Sequence, residues 1–180
     1  MPHLRIFSLT CLLLSAAGTA RGASPAAFEE ALRAAASTDS IAILDFFTEW
    51  CAPCKSFEND IAAGAPLEKI RANMTLLRVD AEDPAWAQIT LDYDIHSFPT
   101  FVAVDGAGAE LYRWIGYEGP DHFAREYDIA RSHPLSIQDR IRAFESSPSA
   151  DAAQEIADYL SRSRRYAEAA VYHERVPELD

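Results

Sequence analysis

Cysteine is scarce in this chain: Cys11, Cys51 and Cys54 are the only three in 180 residues. A small secreted domain held together by disulfides carries several bridges across distant loops, so that class is excluded. Positive charge is also short. Sixteen Lys and Arg stand against 28 Asp and Glu, a formal net charge of −12, which argues against nucleic acid and anionic membrane surfaces as partners. Long apolar runs are missing too: residues 6–17 form one, but it falls short of the roughly 18 residues that span a bilayer.

That run has its own reading. His3 and Arg5 precede it and Gly18, Thr19 and Ala20 follow, the layout of a secretory signal peptide over residues 1–20, cut before Arg21. Cys11 would leave with it, so the mature chain keeps only Cys51 and Cys54. The expected location is exported: periplasmic if the source is bacterial, otherwise secreted, with the mature form not embedded in a membrane.

What remains is 49% hydrophobic over the whole chain, enough for one globular domain with an appendage. Ser24 and Pro25 read as N-cap and first residue of a helix carrying Phe28, Ala31, Leu32 and Ala35. Residues 41–47 form an apolar run without clean alternation, as expected of a strand buried on both faces. The cysteine pair follows, opening a helix with Phe57 and Ile61. Residues 74–79 predict a second strand, 84–93 a short helix, 100–104 a third strand, 105–108 a hairpin turn, 110–115 a fourth strand and 120–131 a helix. The alternation predicts an α/β architecture with a parallel crossover. After His133 and Pro134 the pattern is helical only, with Ile137, Ile141 and Phe144 on one face and residues 146–149 as a linker. The expected division is therefore 1–20, 21–133 and 134–180.

The stretch Trp50-Cys51-Ala52-Pro53-Cys54 carries the chemistry. A cysteine where a strand ends and a helix begins meets free backbone amides and the positive end of the helix dipole, both of which favour the thiolate. The thiolate is the attacking species in disulfide exchange, and Cys54, one turn on, is placed to resolve a mixed disulfide at Cys51. A metal clip is the competing reading. It needs two more soft ligands, and His96, His122, His133 and His173 are scattered. A structural staple is the third, though so short a loop constrains little.

With these residues in view, the chain from 24 to 131 resembles the thioredoxin family. The matching pieces are the run from Asp45 to Lys55, then Val79 and Asp80, then Ser97, Phe98, Pro99 and Thr100, then Gly116. The resemblance implies a thioredoxin fold, a central mixed sheet flanked by helices. It further implies Cys51 as nucleophile, Cys54 as resolving thiol, and the two as a redox-active disulfide. Pro99 becomes a cis-proline facing the cysteines, and Trp50, Pro53, Phe98 and Pro99 become substrate contacts. Asp45 is implied as a buried carboxylate relaying a proton to or from Cys54. The family's lysine beside that aspartate is not matched: the position, two before Arg78, is Leu76. No cofactor and no metal are implied.

Oxidants of this family often place a histidine between the cysteines. Here Ala52 and Pro53 stand there and Glu49 adds negative charge nearby, which favours a reducing couple. The residues after Cys54 and the apolar Phe98 resemble the thioredoxin-like domains of exported bacterial disulfide reductases. The implied partners are protein disulfide or thiol substrates and, because an exported dithiol sits in an oxidising space, a membrane electron donor.

Residues 152–180 resemble a single tetratricopeptide repeat, with Ala157, Leu160 and the run Tyr166 to Ala169 in place, while His173, Val176 and Pro177 depart from it. One repeat cannot bury its own face, so it must dock on the preceding domain or be followed by more. Pro177 is expected to end its helix. The reading from sequence is an exported disulfide reductase or isomerase; the alternative is a non-catalytic adaptor or redox sensor that binds a protein partner.

Overall fold

The strand that precedes the cysteine pair, β1 (Ala42–Phe47), is buried at five of its six positions, as befits a strand covered on both faces. It pairs in parallel with β2 (Thr75–Asp80) and antiparallel with β3 (Thr100–Val104), and β4 (Glu110–Ile115) completes a mixed sheet of order β2-β1-β3-β4. The structure is a computed structural model and describes residues 25–38, 40–64, 67–71 and 74–179. The expected signal peptide, Cys11 and Ser24 lie outside the described residues.

Strand alternation sorts β1 between two layers. Ala42, Leu44 and Phe46 meet Phe28 of α1 (Ala26–Ser37) and Ile89 of α4 (Ala87–Asp92) on one face. Ile43 and Asp45 point to the other, which α2 (Ala52–Ala63) and α5 (Pro120–Arg131) cover. There Phe57 and Phe123 pack around Phe101 and Trp114 with ring centroids 4.9 to 5.5 Å apart. A mixed sheet between helical layers is the architecture that the resemblance implies.

Two local expectations are corrected, and one element is new. Pro25 occupies the N-cap of α1 rather than its first helical position: its ψ of 139° is extended, and its carbonyl accepts the Phe28 N–H at 2.9 Å. A short helix, α3 (Glu68–Arg71), stands between α2 and β2; it was not expected because four residues show no periodicity. Pro177 does not end its helix. Only one backbone bond near the terminus is lost, and α8 (Tyr166–Leu179) continues past it.

Beyond α5 the chain forms α6 (Ile137–Ser146), α7 (Ala150–Arg162) and α8. Ser136 and Ser149 cap the first two, their hydroxyls accepting from the N–H of Asp139 and Ala152 at 3.1 and 3.3 Å. These helices share one apolar cluster with the sheet: Ile137, Phe144, Ile156, Tyr159 and Leu160 are continuous with Phe57, Phe101 and Trp114. The apolar side of α7 is thus buried on the sheet domain. Polar contacts pin the seam. Arg140 donates to the Leu111 carbonyl at 2.7 Å, and the Tyr159 hydroxyl donates to Glu110, which also accepts from Arg113.

Candidate active site

The end of β1 delivers the chain into a tight turn, in which the Cys51 N–H bonds the Thr48 carbonyl at 3.2 Å. Cys51 then sits at the N-cap of α2, in extended geometry with φ −76° and ψ 108°. Its Sγ accepts the Cys54 N–H at 3.2 Å, so the sulfur takes the place of the oxygen that usually caps a helix. Pro53 falls within the first two helical positions and has no N–H to offer, which leaves the sulfur one donor fewer. Cys51 and Cys54 are joined as a disulfide, with relative exposures of 3% and 1%. Ala52 and Pro53 between them are exposed.

Trp50 is 68% exposed and is fixed from two sides. Its indole N–H donates to Glu82 at 3.0 Å, and its ring meets that of Phe98 edge-on at 6.0 Å. Glu82 as a partner was not legible in the sequence, since nothing in its neighbours marks it. The Phe98–Pro99 peptide bond is cis, and Pro99 is buried one residue before Thr100, which pairs with Phe46. Cys51, Trp50, Phe98 and Pro99 therefore gather at the same end of the sheet.

Asp45 is fully buried in the adjoining layer. The positive partner that Leu76 fails to supply is supplied by Arg78, because the parallel register sets Asp45 directly against Arg78. Arg78 Nε lies 3.0 Å from Asp45 Oδ2, its other end lies 3.1 Å from Glu58, and its guanidinium covers the Phe47 ring at 4.0 Å. Asp45 Oδ1 has no hydrogen-bond partner among the described residues. Burial pushes the Asp45 carboxyl up to about 6, Arg78 pulling back and Glu58 adding to the rise. Thr48, Cys54, Glu58 and Arg78 also line a cavity of about 30 Å³, room for a single water. The Asp45–Arg78 pair thus reaches the wall of the chamber that holds Cys54.

The sign of the Asp45 shift makes a testable statement. The fold holds this proton up to about pH 6, whereas the ordinary value is 3.8, so the protonated form favours the folded state and that advantage is lost as pH rises through 6. A rise from 3.8 to about 6 corresponds to roughly 3 kcal/mol. Asp45→Asn, which mimics the protonated acid, should be more stable than the parent by about 2–3 kcal/mol at pH 8 and nearly equal to it at pH 4. Urea denaturation of both at the two pH values checks this; a gap independent of pH would refute it.

Among the described residues no group of three or more His, Cys, Asp and Glu could hold a metal, and no helix is long and apolar enough to cross a membrane. His96 meets Asp94 at 2.7 Å, and His133 stacks on Tyr112 at 5.2 Å.

The thioredoxin-like domain family matches residues 28–130. The chain is 33% identical over 70 residues to Thioredoxin-1 of Drosophila melanogaster, covering 39% of this chain and 62% of that protein. It is 30% identical over 74 residues to the thiol:disulfide interchange protein TxlA of Synechococcus elongatus, covering 41% and 38%. Among solved structures, the germline-specific thioredoxin Deadhead of Drosophila melanogaster is similar at 26% identity and a TM-score of 0.43, over 54% of this chain and 85% of that one. The chain thus spans less than two thirds of the length of the curated relatives it matches first.

Proposed function

This chain belongs to the thioredoxin-like domain family, and from that premise we propose that it is an exported thiol–disulfide oxidoreductase that reduces or isomerises protein disulfides through Cys51 and Cys54. The observation that carries the reading is the disulfide at the N-terminus of α2, with Cys51 Sγ accepting the Cys54 N–H.

In the reduced protein, Cys51 attacks one sulfur of a client disulfide as the thiolate. A Cys51–client bond forms, and the client's other sulfur leaves as a thiolate that takes up a proton. Cys54 then loses its proton and attacks Cys51 Sγ, releasing the client's second thiol and closing the Cys51–Cys54 disulfide. Two electrons and two protons pass to the client. Asp45 and Arg78 serve the second step: a carboxyl with a pKa of about 6 changes protonation close to neutral pH and so suits a proton acceptor for the Cys54 thiol. Trp50, Pro53, Phe98 and Pro99 form the face on which the client lies.

Export rests on the leader-like residues 1–20 of the sequence. A dithiol that works as a reductant in an oxidising compartment must be recharged, so the reading includes a membrane electron donor. Two features favour the reducing direction: Ala52 and Pro53 in place of a cation between the cysteines, and the N–H that Pro53 withholds from the thiolate.

Equilibration of the protein with defined thiol buffers, followed by mass-shift trapping of free thiols, tests the direction. A midpoint near about −270 mV supports the reductase, and one near about −120 mV reverses the flow. Turnover of a protein disulfide with dithiothreitol as reductant tests the activity itself; no acceleration over dithiothreitol alone would end this reading.

A further inference from the structure

We propose that the turn joining α7 to α8 is part of the client-binding surface, with Arg164 selecting an acidic side chain beside the client's cysteine. This rests on the reading of Cys51 and Cys54 as an exchange site, and adds to it a determinant of which clients are served.

The geometry begins at the dithiol and runs outward. Trp50 adjoins Cys51 and meets Phe98; Ser97 precedes Phe98, and its hydroxyl lies 3.4 Å from the guanidinium of Arg164. Between this loop and the helical turn lies a pocket of about 300 Å³, with Ser97, Arg164 and Tyr166 among the residues that line it. A client segment held against Trp50 and Phe98 needs only to continue past Ser97 to enter it. Tyr166, 65% exposed, offers a ring along which the stem of a side chain can pack.

The charge of the pocket points to the client's chemistry. Its other arginines are neutralised: Arg113 by Glu110, and Arg165 by Glu168 at 2.6 and 2.7 Å. His96 and Asp94 are bonded to each other at 2.7 Å. Arg164 alone is exposed with no carboxylate partner among the described residues, in a chain of net charge −12. It is also held at φ +59°, a backbone region that glycine or asparagine enters more readily. A turn that had only to reverse the chain would be better served by glycine. The cation stands there at a backbone cost, next to the face where a client lies, and its complement is a carboxylate.

The competing account is that Arg164 merely complements the negative end of α7, which predicts no dependence on the client. The two accounts separate with peptides joined by a disulfide to a small neutral thiol, carrying Glu, Gln or Lys two or three residues from the cysteine. The wild-type protein should reduce the Glu peptides about fivefold faster in kcat/KM than the Lys peptides at low salt, and the ratio should shrink as salt rises. Arg164→Gln should flatten the series and Arg164→Glu should invert it. Arg164→Gly, which suits the positive φ, should fold at least as stably and lose the preference as well. All variants should reduce 2-hydroxyethyl disulfide at the wild-type rate. Wild-type rates indifferent to peptide charge, or a Glu preference surviving in Arg164→Gln, would overturn the proposal while leaving the exchange chemistry intact. Failure of the wild type to reduce 2-hydroxyethyl disulfide would overturn the exchange reading, and this proposal with it.

Discussion

Cys51→Ser should lose turnover by roughly three orders of magnitude or more, while Cys54→Ser should lose turnover yet still complete the first half of the reaction. The asymmetry follows from the two positions. Cys51 Sγ is the capping atom of α2 and receives the Cys54 N–H, so its thiolate is the one that the helix stabilises. Cys54 lies one turn further along α2, inside the helix rather than at its cap, and donates its N–H to Cys51 Sγ instead of receiving one at its own sulfur. Serine at 51 leaves no nucleophile at the helix cap, because a hydroxyl in the same place stays protonated. Serine at 54 leaves the first attack intact and removes the step that releases the client. A covalent adduct should therefore accumulate on Cys51, visible as a mass increase equal to one client thiol. An adduct found on Cys54, or residual turnover in Cys51→Ser, would reverse the assigned roles.

Arg113→Met should destabilise the protein by about 3–5 kcal/mol, the expected consequence of leaving a buried charge without its partner. Glu110 and Arg113 have relative exposures of 7% and 4%. Arg113 gives Nε to Glu110 at 2.7 Å and a second N–H to the Tyr93 carbonyl at 2.8 Å. Glu110 accepts in turn from the Tyr159 hydroxyl, and burial together with Glu110 pushes that phenol well above its usual range. Removing Arg113 strands the Glu110 carboxylate in the layer between β4 and α7. Removing both charges costs less: Glu110→Leu combined with Arg113→Met should recover part of the loss, the remainder being the Tyr159 hydroxyl and the Tyr93 carbonyl left without these partners. Urea denaturation of the two single variants and the double variant reads this directly. A single-variant cost under about 1 kcal/mol would show that water reaches the pair.

How far the sequence revealed this arrangement depended on whether the cause was local. The bounds of β3 and β4 were legible because each is a short run bounded by turn residues and buried on both faces, and those of α5 because its buried residues recur at helical spacing; the dithiol was legible because its chemistry lies within four consecutive residues. The Asp45–Arg78 pair was not, although both residues were in view. Their contact depends on the register between two parallel strands 33 residues apart in sequence, and a search for the family's lysine stopped at Leu76. Glu110 is a harder case. A glutamate at the start of a strand beside a turn reads as solvent-facing, yet it is buried against Arg113 and against Tyr159, 49 residues later. Arg164 was passed over for the same reason: inside a helical turn nothing distinguishes it until the fold brings it beside Ser97.

The apolar layer that α6 and α7 share with the sheet has one more consequence. Clients recruited by a flexibly attached module are captured at a local concentration set by the linker, and the module tolerates many distances between docking residue and reaction centre. Here the helices pack directly on the sheet. The span from Arg164 to the sulfur of Cys51 is set by packed side chains, so a client-selecting Arg164 would act as a ruler, favouring clients in which the acidic residue and the oxidised cysteine are a set distance apart.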